Sequence, residues 1–138
     1  MPPDEPIAEA GLWLEYAQSD FQAALACADR PQVHGWTIAF HCHQAVEKAY
    51  KGALIVHGCA TLPRTHNLIV LSDMLLDLKL IGPLQAPDLE VLGPFAVRDK
   101  YPSLIIQPIP RADAIALIAH AQVALDWLGG MLVAESAG

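Results

Sequence analysis

The sequence lacks any uninterrupted apolar run near the roughly 18 residues that a membrane-spanning helix needs. Its closest approach, residues 112–134, is interrupted by Asp113, His120, Gln122 and Asp126. The first six residues are rich in proline and acid, and they lack the basic start and apolar core of a signal peptide. We therefore expect a cytoplasmic protein that does not bind a membrane.

Cysteine is scarce, and the three that occur, Cys27, Cys42 and Cys59, are far apart and odd in number. Without an export signal, they are expected to be free thiols in a reducing compartment. No Cys-x-x-Cys pair and no His-Glu-x-x-His pattern is present, so no metal site is predicted. A glycine-rich phosphate loop and a nucleophile elbow are also absent, so the sequence predicts no cofactor and no catalytic nucleophile.

Basic residues are few: eight lysines and arginines stand against 15 acidic residues, which gives a net charge of −7. Overall attraction to nucleic acid is therefore not expected. Apolar residues, by contrast, make up 54% of the 138 residues, and the mean hydropathy is +0.33. This is more apolar surface than one small helical domain buries alone, so the composition predicts an interface between copies of the chain.

Helical spacing of alanine and leucine dominates the chain, and no strand-like alternation is convincing. The periodicity predicts helices over residues 8–28, 36–57, 68–78, 86–97 and 111–133. Gly58 ends the second helix, Thr65 or Asn67 caps the third, and Gly93 with Pro94 kinks the fourth. Short connections then favour an all-α, five-helix up-and-down bundle over residues 8–134, between tails at 1–7 and 135–138.

The second helix carries the most ordered polar pattern in the sequence. Opposite its apolar stripe lie Gln44, Glu47, Lys48 and Lys51. Glu47 and Lys51 are one turn apart, in the order that favours an ion pair. One interpretation is a solvated face, whose ion pair stabilises the helix by about 0.2–0.5 kcal/mol. The other is a polar groove that holds an anionic ligand or a loop of a partner protein.

Two further groups are expected beside that face. His66 follows the second helix after a loop of about eight residues, so it returns close to the end of that helix. A histidine just before a helix is more often a capping or loop hydrogen-bonding residue than a catalytic one. A second polar patch contains Arg98 and Tyr101, where a proline-rich loop over residues 101–110 begins. Its positive charge either offsets the negative end of the dipole of the fourth helix or forms the rim of an anion-binding site. The sequence thus predicts one binding groove, in which Glu47 orients a lysine, lined by Gln44, Glu47, Lys48, Lys51, His66, Arg98 and Tyr101.

Three short motifs follow one another in the order Phe40-His41-x-His43-Gln44-Ala45-x-Glu47-Lys48-Ala49-x-Lys51, Thr65-His66-Asn67-Leu68 and Arg98-x-x-Tyr101-Pro102. Together they resemble the HEPN family (higher eukaryotes and prokaryotes nucleotide-binding domain) over about residues 10–130. The resemblance implies a five-helix domain that forms a homodimer. It also implies that a stand-alone prokaryotic member binds a minimal nucleotidyltransferase.

Many members of that family are RNases, often toxins, that use an Arg-x(4–6)-His motif. No arginine of this sequence has a histidine at those offsets, and the nearest pair, Arg30 and His34, is one residue too close. We therefore expect a non-catalytic domain that acts as the nucleotide- or substrate-binding subunit of a two-component nucleotidyltransferase system. The alternatives are a diverged RNase toxin of a toxin–antitoxin pair and a structural scaffold dimer.

Overall fold

The computed structural model describes residues 4–96 and 109–137, and every regular element within these ranges is helical. The all-α prediction is therefore confirmed, and the last predicted helix is interrupted only at Leu117. The elements are α1 (Glu5–Ala28), α2 (Gly35–Val56), α3 (Leu68–Asp77), α4 (Ala86–Leu92) with a following 3-10 turn (Gly93–Phe95), α5 (Arg111–Ala116) and α6 (Ile118–Ala137).

The helix ends differ from the predicted ones by a few residues. α1 begins at Glu5, because Pro6 lies in its first turn, where a proline costs no hydrogen bond. α6 continues to Ala137, so it takes in most of the predicted C-terminal tail. The predicted kink at Gly93 is a change from the α-helix of α4 to a 3-10 turn.

Asn67 caps α3, and Thr65 supports the cap. The side-chain oxygen of Asn67 accepts hydrogen bonds from the backbone N–H groups of Ile69 at 2.9 Å and Val70 at 3.3 Å. Oγ1 of Thr65 accepts one from the N–H of Asn67 at 3.0 Å. Two of the amides that a helix N-terminus leaves without partners are thus satisfied within the chain.

α2 lies at the centre of the bundle, where it contacts α1, α3, α5 and α6. Its buried residues lie around the whole helix, and none of its residues is exposed. Gly52 permits the close approach of two neighbours. A Cβ atom there would lie 2.7 Å from Cδ2 of Leu128 in α6 and 3.2 Å from Cβ of Trp13 in α1.

Arg111 fastens α5 to the connection between α1 and α2. Its guanidinium donates hydrogen bonds to the carbonyl oxygens of Cys27 at 3.0 Å and Ala28 at 2.7 Å, and to that of Val33. Carbonyls at a helix C-terminus have no partners within their own helix, and a cation there also opposes the negative end of the helix dipole. The arginine therefore completes the end of α1.

Tyr50 of α2 positions the connection between α3 and α4. Its hydroxyl oxygen accepts a hydrogen bond from the N–H of Leu84 at 3.2 Å. Gly82 passes directly over the phenol, because a Cβ atom there would lie 2.7 Å from the hydroxyl. Burial raises the pKa of Tyr50 to about 12, so the group stays a neutral phenol. α3 and α4 are thereby held side by side against α2.

The last helical segment, Arg111–Ala137, is long and apolar enough to cross a membrane if length and composition alone are considered. Ala121, Ala124 and Leu128 belong to the core of the bundle. Only 28% of its most apolar window is buried, and Val123 and Val133 are exposed. The segment therefore packs in the bundle on one side and presents apolar side chains on the other.

Candidate functional site

Polar side chains of α2 and the loop before α3 converge on one carboxylate. Oε2 of Glu47 accepts a hydrogen bond from Nζ of Lys51 at 3.0 Å. Nδ1 of His66 lies 3.0 and 3.2 Å from the two carboxylate oxygens, and Nδ1 of His43 lies 3.7 Å from Oε1. We call Glu47, Lys51, His66 and His43 the Glu47 cluster. It ties the loop before α3 to the middle of α2 at Glu47, whereas the short connection predicted a position close to the end of that helix.

Burial of Glu47 and Lys51 shows that the solvated-face interpretation is wrong for these two residues. Glu47 is 4% exposed and Lys51 is 7% exposed. Nζ of Lys51 lies 6.0 Å from the ring centroid of Trp13 on α1, so α1 helps to cover this side of α2. The predicted ion pair does form, and its two charges offset each other where an unpaired charge would be costly.

His43 is the member of the cluster that the predicted groove omits. Its side chain is fully buried, and neither ring nitrogen has a hydrogen-bond partner among the described residues. Burial lowers the pKa of His43 below its ordinary value of 6.5, and the nearby carboxylate of Glu47 opposes that shift. The imidazole is therefore kept neutral. Its sequence signal was its position one turn before Glu47.

Lys48 belongs to a second cluster, between α1 and α2, which we call the Asp20 cluster. Nδ1 of His41 lies 2.9 Å from Oδ1 of Asp20, and Nζ of Lys48 donates to Oδ2 of the same carboxylate. Burial alone would raise the pKa of Asp20, but the hydrogen bonds from His41 and Lys48 outweigh it and hold that pKa below 3.8. The carboxylate thus stays ionised and links the two helices.

His66 is the exposed member of the Glu47 cluster, and it borders an open cleft. Its side chain is 62% exposed, although Glu47 holds one ring nitrogen. The cleft has a volume of about 490 Å³ and lies between the start of α3 and the α4 segment. The described residues that line it are Thr65, His66, Asn67, Leu68, Ile69, Leu89, Glu90, Gly93 and Ala96.

The predicted groove residues are only partly brought together. Glu47, Lys51 and His66 are in contact, whereas Lys48 pairs with Asp20 on α1. Gln44 is half-buried on α2, and Arg98 and Tyr101 lie outside the described residues. Each of the two lysines is paired with a carboxylate, so the expected gathering of positive charge does not occur in the described part of the groove.

Two shallow grooves run along the junction of α1 with α5 and α6. One, of about 770 Å³, lies beside Leu25 and Ile115, and the other, of about 650 Å³, lies beside Gln18 and Asp126. Both grooves are lined by Phe21 and Gln122, so they form one continuous surface. This α1–α6 surface lies away from the cleft of His66.

Comparison with known proteins gives one family match. The model of the HEPN domain matches residues 10–131, which is most of the chain. No curated protein and no solved structure matches the chain. Within the described residues, no group of three or more histidine, cysteine or acidic side chains is placed to hold a metal ion.

Proposed function

Since the chain belongs to the HEPN domain family, we propose that it is a non-catalytic binding subunit that partners a minimal nucleotidyltransferase and contributes a nucleotide or substrate pocket. The observation that carries this proposal is the cleft at His66. Ligand sites are concave, mostly apolar and supplied with a few polar groups of fixed orientation. His66 is such a group, because the buried carboxylate of Glu47 fixes its ring.

The Glu47 cluster acts in this proposal as a rigid support for the ligand-binding residue. The carboxylate is held by Lys51 on one side and holds His66 on the other. A side chain whose orientation is fixed before binding loses less conformational entropy when a ligand arrives. Glu47 and Lys51 would therefore raise affinity without touching the ligand themselves.

The non-catalytic part of the proposal rests on sequence. No arginine has a histidine at the spacing of the RNase motif, and the net charge of −7 does not favour RNA. The pairing of His66 with Glu47 nevertheless favours RNase activity as a second candidate function. Nδ1 of His66 is held by a carboxylate, and its Nε2 has no hydrogen bond to the described residues; a histidine in this arrangement can act as a general base.

We also propose that two copies of the chain associate through the α1–α6 surface. Two exposed apolar side chains line it, Leu25 and Ile115, which are 37% and 39% exposed. Apolar patches of this kind mark interfaces in small proteins. A dimer with neither nucleotide nor nucleotidyltransferase binding would be the structural scaffold named above.

Co-expression with a minimal nucleotidyltransferase encoded beside the chain tests the binding-subunit proposal. We expect the two proteins to elute as a stable complex in size-exclusion chromatography. Titration calorimetry should show that His66→Ala binds the nucleotidyltransferase or a nucleotide more weakly than the wild type does. Lys79→Ala, at an exposed lysine in the turn that follows α3, is the control. Lys48→Ala and Arg98→Ala test the rest of the predicted groove. If no complex forms and no nucleotide binds, the proposal is wrong.

Incubation of the purified chain with structured and single-stranded RNA separates the two candidate functions. The binding-subunit proposal expects intact RNA at all protein doses. Dose-dependent cleavage that is lost in His66→Ala but kept in His34→Ala would establish the RNase instead. His34 is a suitable control because it is exposed at the start of α2 and makes no side-chain cap.

A further inference from the structure

The charges around the cleft of His66 do not suit a phosphate group. Among the described residues that line the cleft, Glu90 carries the single carboxylate, and none is a lysine or an arginine. Lys51, the lysine of the Glu47 cluster, is 7% exposed and already donates a hydrogen bond to Glu47. An anion would therefore meet a carboxylate among the described lining residues and no lysine or arginine, although the exposed Arg64 precedes the lining residue Thr65 in the sequence.

The N-terminus of α3 does not offer a phosphate site either. The backbone amides of Ile69 and Val70 donate to the side chain of Asn67, and the amide of Asn67 donates to Thr65. Helix N-termini bind phosphate through amides that have no other partner. Here those donors are already used inside the chain.

The hydrogen-bonding character of His66 follows from its partner. A carboxylate has no proton to give, so Nδ1 of His66 must donate to Glu47. In the neutral imidazole, Nε2 then carries a lone pair and accepts hydrogen bonds. The carboxylate of Glu90 is likewise an acceptor. The cleft therefore presents two acceptors beside an apolar wall that includes Ile69, Leu89 and Ala96.

We infer that the cleft takes the nucleoside part of a ribonucleotide, with the ribose diol donating to Glu90 and His66 and the base lying against the apolar wall. This inference rests on the proposed function and names which part of the ligand the cleft holds. A carboxylate is a common partner of ribose hydroxyls in nucleotide sites. A volume of about 490 Å³ lies within the range of small-ligand pockets. The phosphates point away from the cleft.

Calorimetric titration with adenosine and with 2′,3′-dideoxyadenosine tests the role of the diol. The wild-type chain is expected to bind adenosine about tenfold more tightly, because the dideoxy compound leaves a charged acceptor without its partner. In Glu90→Gln this preference is expected to shrink to about twofold or less, since diol and carboxylate form one interaction. Glu15→Gln, an exposed carboxylate on α1, should keep the full preference.

Any one of the following results would overturn the inference. The first is equal affinity of the wild-type chain for adenosine and its dideoxy form, and the second is a diol preference that Glu90→Gln leaves intact. The third is tight binding of ATP together with no binding of adenosine, which would leave the proposed nucleotide-binding function standing and place recognition at the phosphates. If ATP and adenosine both fail to bind, the proposal that this chain binds nucleotides is wrong as well.

Free ribose, titrated in parallel, shows whether the base is needed. If ribose binds as tightly as adenosine, the cleft is a sugar site and the nucleoside inference is overturned.

Discussion

α2 and α6 reverse the usual relation between composition and burial. α2 carries five charged or imidazole side chains, yet none of its residues is exposed. α6 is the more apolar helix, yet it leaves Val123 and Val133 exposed. α2 is buried because four helices surround it, and α6 is exposed because it lies at the edge of the bundle. The position of a helix in the bundle therefore decides how far the helix is buried. Its composition then decides whether it needs partners for buried charges or cover for exposed apolar side chains.

The requirement differs between the two helices. Buried charges of α2 need partners, and they have them in the Glu47 and Asp20 clusters. The exposed apolar side chains of α6 need cover, and no described residue of the chain supplies it. The first need is met inside one copy, and the second is met in our proposal by another copy.

The largest expected effect comes from breaking the Glu47 cluster. Glu47→Ala leaves Lys51 buried without its carboxylate and should lower the free energy of unfolding by about 3–5 kcal/mol. Urea denaturation followed by circular dichroism measures it. Glu15→Ala, on the exposed side of α1, should change stability by less than about 0.5 kcal/mol. Equal effects of the two variants would mean that the buried pair contributes nothing special.

Glycines in the two helices give the next comparison. Gly52→Ala places a methyl group against Leu128 and Trp13, and we expect a loss of about 1–3 kcal/mol from overpacking. Gly130→Ala in α6 meets no atom within 4 Å and should stabilise the helix by about 0.5–1 kcal/mol. Thermal and urea unfolding of both variants would show the opposite signs. A stabilised Gly52→Ala would contradict the tight packing of α2.

The pH dependence of stability gives a smaller effect, which isolates His43. Its pKa is lowered in the folded chain, so the unfolded chain binds more protons once the pH falls below about 6.5. The free energy of unfolding should therefore fall between pH 7 and pH 5 by less in His43→Leu than in the wild type. The other histidines are common to both proteins, so the difference reports on His43. Identical pH profiles would show that its burial has no such cost.

The smallest expected effect on stability comes from the α1–α6 surface, although the effect on association is large. Ile115→Lys should change the free energy of unfolding of one copy by less than about 0.5 kcal/mol. It should weaken dimerisation by at least about tenfold, because it places a charge in an apolar interface. Sedimentation equilibrium measures the association. Ile81→Lys, 82% exposed on the connection between α3 and α4, is the control. A monomeric wild type would contradict the proposed dimer.

Local rules explain why the helices were predictable. Periodicity and capping residues placed α2 and α3 to within one residue at each end, and one turn of spacing predicted the pair of Glu47 and Lys51. These features depend on neighbours within a few residues along the chain, where spacing fixes geometry. The short loop predicted that His66 returns close to the end of α2, but His66 contacts Glu47 near the middle of that helix. The predicted proline-rich loop cannot be compared, since residues 97–108 lie outside the described ranges.

The sequence by itself determined the helical class, the order of the helices and the pairing of charges one turn apart, because these follow from backbone geometry. Only the tertiary structure decided that the polar side of α2 is buried, that Lys48 pairs with Asp20 on another helix, and that the ring nitrogens of His43 lack a hydrogen-bond partner among the described residues. Each of these depends on which helix lies across α2 and at what rotation. That choice is set by packing over the whole bundle, since side chains far apart in sequence must fill one core.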